Sequence, residues 1–358
     1  MGDITRQYWD ELYKCCCDII AHPDGYVDAC RGKVLASLFF EPSTRTNFSF
    51  QSAMMRLGGS TFGFSDPMGT SVAKGETLAD TIRIVASYSD AIVMRSPLEG
   101  AATAASLYSQ VPIINAGDGG HHHPTQTLAD LTTIAQKRGE ISNFTIGLCG
   151  DLKYGRTVHS LVEALSLFTG ISYYLISPHE LRMPDYHLNN MRLNNQDYFE
   201  SDQLAQCLPE LDILYMTRVQ RERFRDAKQY ERLRGVYVLD RNLLGSARRD
   251  MLLMHPLPRY GEISYDVDSD PRAVYFEQAR YGMFIRMALL YNFVQQPRTT
   301  TTPIQSQSSL HSTASPAVPC RNPICVTQTE AYLPPSNRED GGVTRCDYCD
   351  EEIRWDIL

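Results

Sequence analysis

The chain has 358 residues, 43% of them hydrophobic, with ten cysteines and a formal net charge of -8. That length supplies two or three domains with real cores, and the acidic balance argues against broad nucleic-acid binding, which draws on a surplus of Lys and Arg. No run of about 18 apolar residues is present to cross a membrane, and no apolar segment of secretory length follows Met1-Gly-Asp-Ile, so the sequence predicts a cytoplasmic protein.

Apolar positions three and four apart from Ile4 to Ile20 predict an opening helix, with Cys15, Cys16 and Cys17 packed on it. Val34 to Phe40 is a nearly all-apolar run of the kind found in a parallel strand covered on both faces, and Pro42 stops it. Ser43 stands where a helix should begin. The hydroxyls of Ser43, Thr44 and Thr46, the unpaired N–H groups of a first helical turn and the planar fork of Arg45 are then directed at one spot, and such a spot binds a phosphate. Standing alone, the same four residues are also an N-cap serine and a surface arginine. The helix carries Phe48, Phe50, Met54 and Leu57 and ends at Gly58-Gly59.

Asp66 to Thr77 is a polar, Gly-punctuated loop holding Ser71 and Lys74; it reads either as a lid that closes over an anion or as a solvated loop. The strand Ala91–Met94 delivers Arg95 at its carboxyl end, and the strand Val111–Asn115 delivers a Gly-rich loop ending in His121-His-His-Pro-Thr-Gln126. Ligands of open parallel sheets sit outside the carboxyl ends of strands, so three successive strand ends converge on one crevice. Adjacent side chains of an extended segment point in opposite directions, which makes three neighbouring histidines a poor metal site. A single neutral histidine donating to a carbonyl oxygen fits better.

Phe144–Cys149 predicts another strand, followed by Gly150-Asp-Leu-Lys-Tyr-Gly-Arg-Thr157 and a helix. The glycine spacing approaches a phosphate-cradling P-loop, but arginine stands where that loop needs lysine, and Arg156 can instead grip a carboxylate bidentately. Further strands are predicted at Tyr173–Ile176, at Asp212–Met216 ending in Thr217-Arg-Val-Gln220, at Val236–Leu239, and at Met251–Met254 ending in His255-Pro-Leu-Pro-Arg259. The two prolines make a rigid turn whose carbonyls suit the N–H groups of a substrate. Ala279–Val294 predicts a long apolar helix. Arg298–Pro319 is nearly pure Thr, Ser, Gln and Pro, a flexible linker with a span of about 25 Å. Beyond it, Cys320-x4-Cys325 and Cys346-x2-Cys349 form a four-thiolate set of the zinc-ribbon type, with two disulfides as the alternative. Four protein thiolates leave zinc no open position, so such an ion is structural.

Taken together, Phe40-Glu-Pro-Ser-Thr-Arg-Thr46, Ser71-Val-Ala-Lys-Gly-Glu-Thr77, His123-Pro-Thr-Gln126, Asp151 to Ser160, Thr217-Arg-Val-Gln220 and His255-Pro-Leu-Pro-Arg259 resemble, in order, the catalytic chain of the aspartate carbamoyltransferases. The cysteine set resembles the zinc module of that family's bacterial regulatory chain. Ornithine carbamoyltransferases share the Ser-Thr-Arg-Thr loop, but they typically carry His-Cys-Leu-Pro where this chain has Pro256, and a Ser-Met-Gly segment that it lacks.

The resemblance implies two doubly wound parallel-sheet α/β domains joined by a long closing helix, plus a small C-terminal zinc-ribbon-like β domain. Boundaries follow at 1–140, with a return helix at 279–295, for carbamoyl phosphate, at 141–278 for aspartate, at 299–319 for the linker and at 320–358 for zinc. It implies carbamoyl phosphate and L-aspartate as substrates, with no active-site cofactor and no nucleic-acid partner. By motif position Ser43, Thr44, Arg45, Thr46 and Arg95 hold the phosphate, while Arg45, Thr46 and His123 polarise the carbonyl. Gln126 and the backbone at Leu257 and Pro258 bind the carbamoyl amine, and Arg156, Arg218 and Gln220 take the aspartate carboxylates. Ser71 and Lys74 resemble a loop donated by the adjacent subunit, which implies a homotrimer with shared sites and leaves open whether zinc modules join two trimers.

Three departures qualify the resemblance: an amino end shorter than the family's, no nucleotide-binding domain before the cysteines, and Lys228-Gln229 where the regulated enzyme has an acidic residue. Little response to ATP or CTP is therefore expected. A zinc-ribbon interaction protein whose α/β part only binds anions is the non-enzymatic alternative; Asp347, Asp350, Glu351 and Glu352 disfavour nucleic acid as the partner of such a ribbon.

Overall fold

The computed structural model describes residues 4–221, 224, 226–295, 318–340 and 342–353. In chain order its helices and strands are α1 (Arg6–Ala21), β1 (Val34–Phe39), α2 (Thr44–Arg56), β2 (Ser60–Phe64), α3 (Leu78–Tyr88), β3 (Ala91–Ser96), α4 (Ala101–Ser106), β4 (Ile113–Asp118), α5 (Pro124–Arg138), β5 (Phe144–Cys149), α6 (Arg156–Leu165), β6 (Ile171–Ile176), α7 (Asp185–Leu193), β7 (Asp197–Ser201), α8 (Leu204–Cys207), β8 (Ile213–Met216), α9 (Ala227–Leu233), α10 (Arg241–Leu244), β9 (Leu252–Met254), α11 (Tyr275–Val294), β10 (Asn337–Asp340) and β11 (Val343–Cys346). Among the described residues no helix is long and apolar enough to cross a membrane.

Contacts divide the chain into two compact units, Leu12–Thr125 with Met283–Leu358, and Met1–Glu11 with Gln126–Gly282. The sequence pattern draws its boundaries at 140 and 278, whereas the contacts draw them inside α5 and α11. Side chains give the reason at α5: Asp130 accepts from Tyr215 Oη at 2.8 Å and from Gln278 Nε2 at 2.7 Å, so most of that helix belongs with the second sheet. The start of α1 joins the same unit through Trp9, which meets Phe168 edge-on at 6.4 Å.

The first unit is built on a parallel sheet of order β2-β1-β3-β4. Strand β1 is buried from Leu35 to Phe39, as its apolar run requires. Edge strand β2 is mostly exposed, so no apolar run announces it in the sequence. The order reverses between β1 and β3, and the registers place Phe39 beside Arg95. This is where an open α/β sheet leaves a crevice.

The second unit holds a five-stranded parallel sheet, β7-β6-β5-β8-β9, whose reversal lies between β5 and β8. Its core gathers Cys149, Ile176, Leu214, Met216, Leu239, Leu253 and Tyr275. The expected strand at Val236–Leu239 does not form: Val236 and Val238 are exposed, and Leu239 makes only an isolated parallel bridge to Ile263. The closing helix starts at Tyr275 rather than at residue 279.

Residues 318–340 and 342–353 include an antiparallel pair, β10 and β11, beside the cysteines, and they belong to the first unit. One continuous core runs from Leu38, Ile82, Ile92, Ala104 and Leu107 to Cys325, Val326, Leu333, Tyr348 and Ile353. Linker positions 299–317 and the final residues 354–358 lie outside the described residues.

Candidate active site

In the first unit, β1 ends where Phe40 N–H donates to Arg95 O at 2.8 Å, which holds the ends of β1 and β3 side by side. Pro42 then breaks the strand, and α2 begins at Thr44 with Ser43 as its N-cap. Ser43 makes no capping bond; its hydroxyl donates to Thr46 Oγ1 at 3.1 Å, so the first-turn N–H groups are left uncapped by it. Thr46 is buried, and Thr44 and Arg45 are exposed. Asn47 accepts from Ser37 Oγ at 2.7 Å and from Gln51 Nε2 at 2.8 Å, pinning the helix start to β1.

Arg95 is nearly enclosed. Its Nη2 lies 2.8 Å from Glu41 Oε2, and its buried Nε finds no hydrogen-bonding partner among the described residues. Gly117 brings a second group beside it. At φ +122° this residue adopts a backbone that side chains disfavour, and a Cβ there would lie 3.1 Å from Arg95 Nη1 and 3.4 Å from His123 Cδ2. Arg95 and buried His123 therefore meet over a bare stretch of backbone. Gly117→Ala is expected to displace both by a few tenths of an ångström and lower kcat/KM about 10-fold, since small misplacements are costly in catalysis; steady-state kinetics on the folded variant checks this.

His121 and His122 do not share the place of His123. Asp118 accepts from Gly100 N at 2.9 Å and Asn115 Nδ2 at 3.0 Å, and it meets His121 Nδ1 at 3.0 Å. His121 Nε2 lies 2.7 Å from Asp350 Oδ2, and His122 Nε2 lies 3.2 Å from the same oxygen. Burial works against a charged His121, but its two carboxylate partners outweigh burial and push it up to about 9. The ligand atoms of His121, His122 and Asp350 fall within 4.8 Å of one another. Arg338 also pairs with Asp350, so this is an ion-pair cluster. Ser71 and Lys74 lie exposed on a single 3-10 turn, Ser71–Lys74, capped by Thr70.

In the second unit, the loops after β5 and β8 are stitched together. Gly150 at φ +121° lets them touch, for a Cβ there would fall 2.3 Å from Thr217 O. Buried Asp151 receives Tyr154 N–H at 2.9 Å and Gln220 N–H at 3.3 Å, and its own N–H donates to Thr217 Oγ1 at 3.1 Å. Gln220 Nε2 returns a bond to Tyr154 O at 3.0 Å. These bonds bring together the two loops that carry Arg156, at the start of α6, and Arg218, both half-buried. Gln126 Nε2 donates to Asp130 Oδ1 at 2.8 Å, joining the Tyr215 and Gln278 network.

The turn after β9 is equally tied down. His255 Nδ1 accepts Leu257 N–H at 2.7 Å, so its Nε2 carries the proton that faces Glu262 Oε1 at 2.6 Å. His255 N–H donates to Gln278 Oε1 at 3.0 Å, and Leu257 sits at φ +52° before the cis bond to Pro258. Burial raises the Glu262 carboxyl, but the bonds from His255 and Tyr260 N–H outweigh it and hold the group below the ordinary 4.5. A depressed carboxyl stabilises the fold above its unfolded value and loses that contribution as pH falls through the folded one. Glu262→Gln is accordingly expected to cost about 1–3 kcal/mol at pH 7, with the gap from the unsubstituted chain closing as pH falls from the ordinary 4.5 through the lower folded value; thermal melts across pH measure it.

The four C-terminal cysteines are buried, and their sulfurs lie within 4.8 Å of one another. All are free thiols; Cys320 Sγ and Cys349 Sγ are 3.6 Å apart, far beyond a disulfide bond. Tetrahedral zinc with bonds near 2.3 Å separates its sulfurs by about 3.8 Å. The set fits that ion.

Of the positions that shape this candidate site, spacing alone does not single out Gly117, Asp130 or Glu262. A glycine at the end of a parallel strand, and a carboxylate next to a conformationally odd turn, are the signals that would have found the first and the last.

Residues 1–136 match the family described as Aspartate/ornithine carbamoyltransferase, carbamoyl-P binding domain, and residues 142–293 match its Asp/Orn binding domain. An aspartate carbamoyltransferase catalytic subunit of Clostridium perfringens is 56% identical over 290 residues, covering 81% of this chain and 94% of that one. The catalytic subunit of M. jannaschii aspartate transcarbamoylase superposes with a TM-score of 0.77 at 46% identity, over 82% of this chain and 96% of its own. Aspartate transcarbamoylase from Trypanosoma cruzi, solved with carbamoyl phosphate and aspartate, gives 0.76 at 40% identity, over 81% and 94%.

Proposed function

The chain belongs to the aspartate/ornithine carbamoyltransferase family, and from that premise we propose how its own residues carry the reaction. It is a carbamoyltransferase that converts carbamoyl phosphate and L-aspartate to N-carbamoyl-L-aspartate and phosphate, a step of pyrimidine synthesis. In the transfer a C–N bond forms, the bond from carbonyl carbon to phosphate oxygen breaks, and the surplus amine proton leaves with the phosphate.

Ser43, Thr44, Arg45 and Thr46, with the first-turn N–H groups of α2, hold the phosphate together with Arg95. The ion pair of Arg95 with Glu41 means that an arriving phosphate competes with the carboxylate for that guanidinium. His123, Arg45 and Thr46 donate to the carbonyl oxygen, on which negative charge grows as the amine attacks. Donors fixed in advance lower that barrier without a covalent intermediate. Arg156, Arg218 and Gln220 take the two carboxylates of aspartate, by the bidentate bonding that guanidinium groups favour. Gln126 and the carbonyls at Leu257 and Pro258 receive the carbamoyl amine.

The observation that carries this reading is the meeting of Arg95 and His123 over Gly117, beside the reversal between β1 and β3. Incubating the chain with carbamoyl phosphate and, separately, L-aspartate or L-ornithine tests it. Carbamoyl aspartate is the expected product; carbamoyl ornithine alone would sink the acceptor assignment.

Cys320, Cys325, Cys346 and Cys349 hold a structural zinc ion, whose role is to close the hairpin module. The subunits assemble as a trimer in which Ser71 and Lys74 serve the neighbouring site, a role their exposure permits. Ten free thiols accord with a reducing, cytoplasmic setting.

A further inference from the structure

The zinc module grips the same two loops that present the catalytic groups of the first unit. On one side, Glu330 accepts from Leu78 N–H at 3.2 Å and Tyr332 Oη accepts from Ala79 N–H at 2.9 Å, while Thr77 takes Asp80 N–H at 3.1 Å. The first turn of α3, which directly follows the Ser71–Lys74 segment, is therefore capped largely by the module. On the other side, Glu99 N–H donates to Ile324 O and Val326 N–H donates to Glu99 O, both at 2.9 Å, and Asn322 Nδ2 reaches Glu99 Oε2 at 2.6 Å. Glu99 Oε1 in turn accepts Gly120 N–H at 3.0 Å. Closest to the chemistry is Asp350, next to Cys349, which reaches His121 and His122.

We propose that Asp350 is a positioning residue for His123. From the cysteine knuckle it holds His121 and His122, while Asp118 holds the other face of His121 and the N–H of His122, at 3.1 Å. The segment 118–122 is thereby fixed at both ends of its imidazole pair, and the next residue, His123, keeps its place beside Gly117 and Arg95. Arg338, paired with the second oxygen of Asp350, keeps that carboxylate aimed at the loop. The closed module and the catalytic imidazole are thus one mechanical unit, with Asp350 as the link. This role rests on the assignments of His123 and of the four cysteines made above.

The test uses the full-length chain. Asp350→Asn keeps the shape of the side chain and removes the charge that binds the two histidines. Expected are unchanged zinc content by elemental analysis, a kcat lower by roughly 10-fold, an aspartate KM within about twofold of the parent chain because ground-state binding is untouched, and a shifted His123 ring resonance in histidine-labelled spectra. Ser336→Ala, which removes a bond to Asp347 wholly inside the module, is expected to leave kcat as it was. Should Asp350→Asn shed its zinc, His121→Gln cuts the same link from the other side and carries the same expectation. A normal kcat with zinc retained, or a kcat that falls only in proportion to zinc lost, would overturn the role of Asp350. Absence of carbamoyl transfer by the parent chain would instead overturn the reaction, and this role with it.

Discussion

Arg45→Ala is expected to lower kcat/KM by about 10²-fold to 10³-fold, the usual cost of deleting one donor to a developing oxyanion. Two properties of the position separate this from a folding defect. Arg45 is exposed, in the first turn of α2, and the helix start is bonded to β1 through Asn47 and Ser37. The variant should therefore melt near the parent temperature while losing turnover. Arg45→Lys keeps the charge but not the fork of paired donors, and only partial recovery is expected. Near-normal turnover by the alanine variant would remove Arg45 from the catalytic set.

Cys325→Ser should have the largest effect on stability. On the zinc assignment proposed above, removing one thiolate leaves three protein ligands for the ion, and binding free energy in such modules is folding free energy. The damage would not stay local, because Cys325 and Val326 pack in the same core as Ile82, Ile92 and Leu107. A fall in Tm of about 10 °C or more is expected, together with release of zinc to a chromogenic chelator under conditions where the parent chain retains it. An unchanged Tm and tight metal retention would show that this cysteine is no ligand.

Much of this arrangement was legible in advance, for identifiable reasons. Buried parallel strands such as Val34–Phe39 and Phe144–Cys149 are continuous apolar runs, so they stand out. Edge strands β2 and β7 do not, because both are largely solvent-facing and carry no run to notice. Val236–Leu239 shows the opposite error: its β-branched residues favour a strand, but among the described residues the segment finds only Ile263 as a bridge partner. The proposed phosphate subsite could be suggested from sequence because one short segment, Ser43 to Thr46, carries four of its proposed donors. The contacts of Gly117 and Asp151 could not be read, although Asp151 opens one of the motifs, since the requirement at each is set by residues distant in the chain, His123 with Arg95 in one case and Thr217 with Gln220 in the other. The grip of the cysteine module on segment 118–122 is likewise a tertiary fact that spacing alone does not disclose.

The uninterrupted apolar interior shared by the first sheet and the hairpin has a further consequence for any shortened form of this chain. Trimming it before the first of the four C-terminal thiols would uncover Tyr108, whose ring stands 5.7 Å from that of Tyr332, along with the neighbouring Leu107 and Ile82. A greasy scar of that kind invites self-association. The tail in this sense serves as the lid of an apolar face, and a minimal enzyme without it would require repainting that scar with polar residues first.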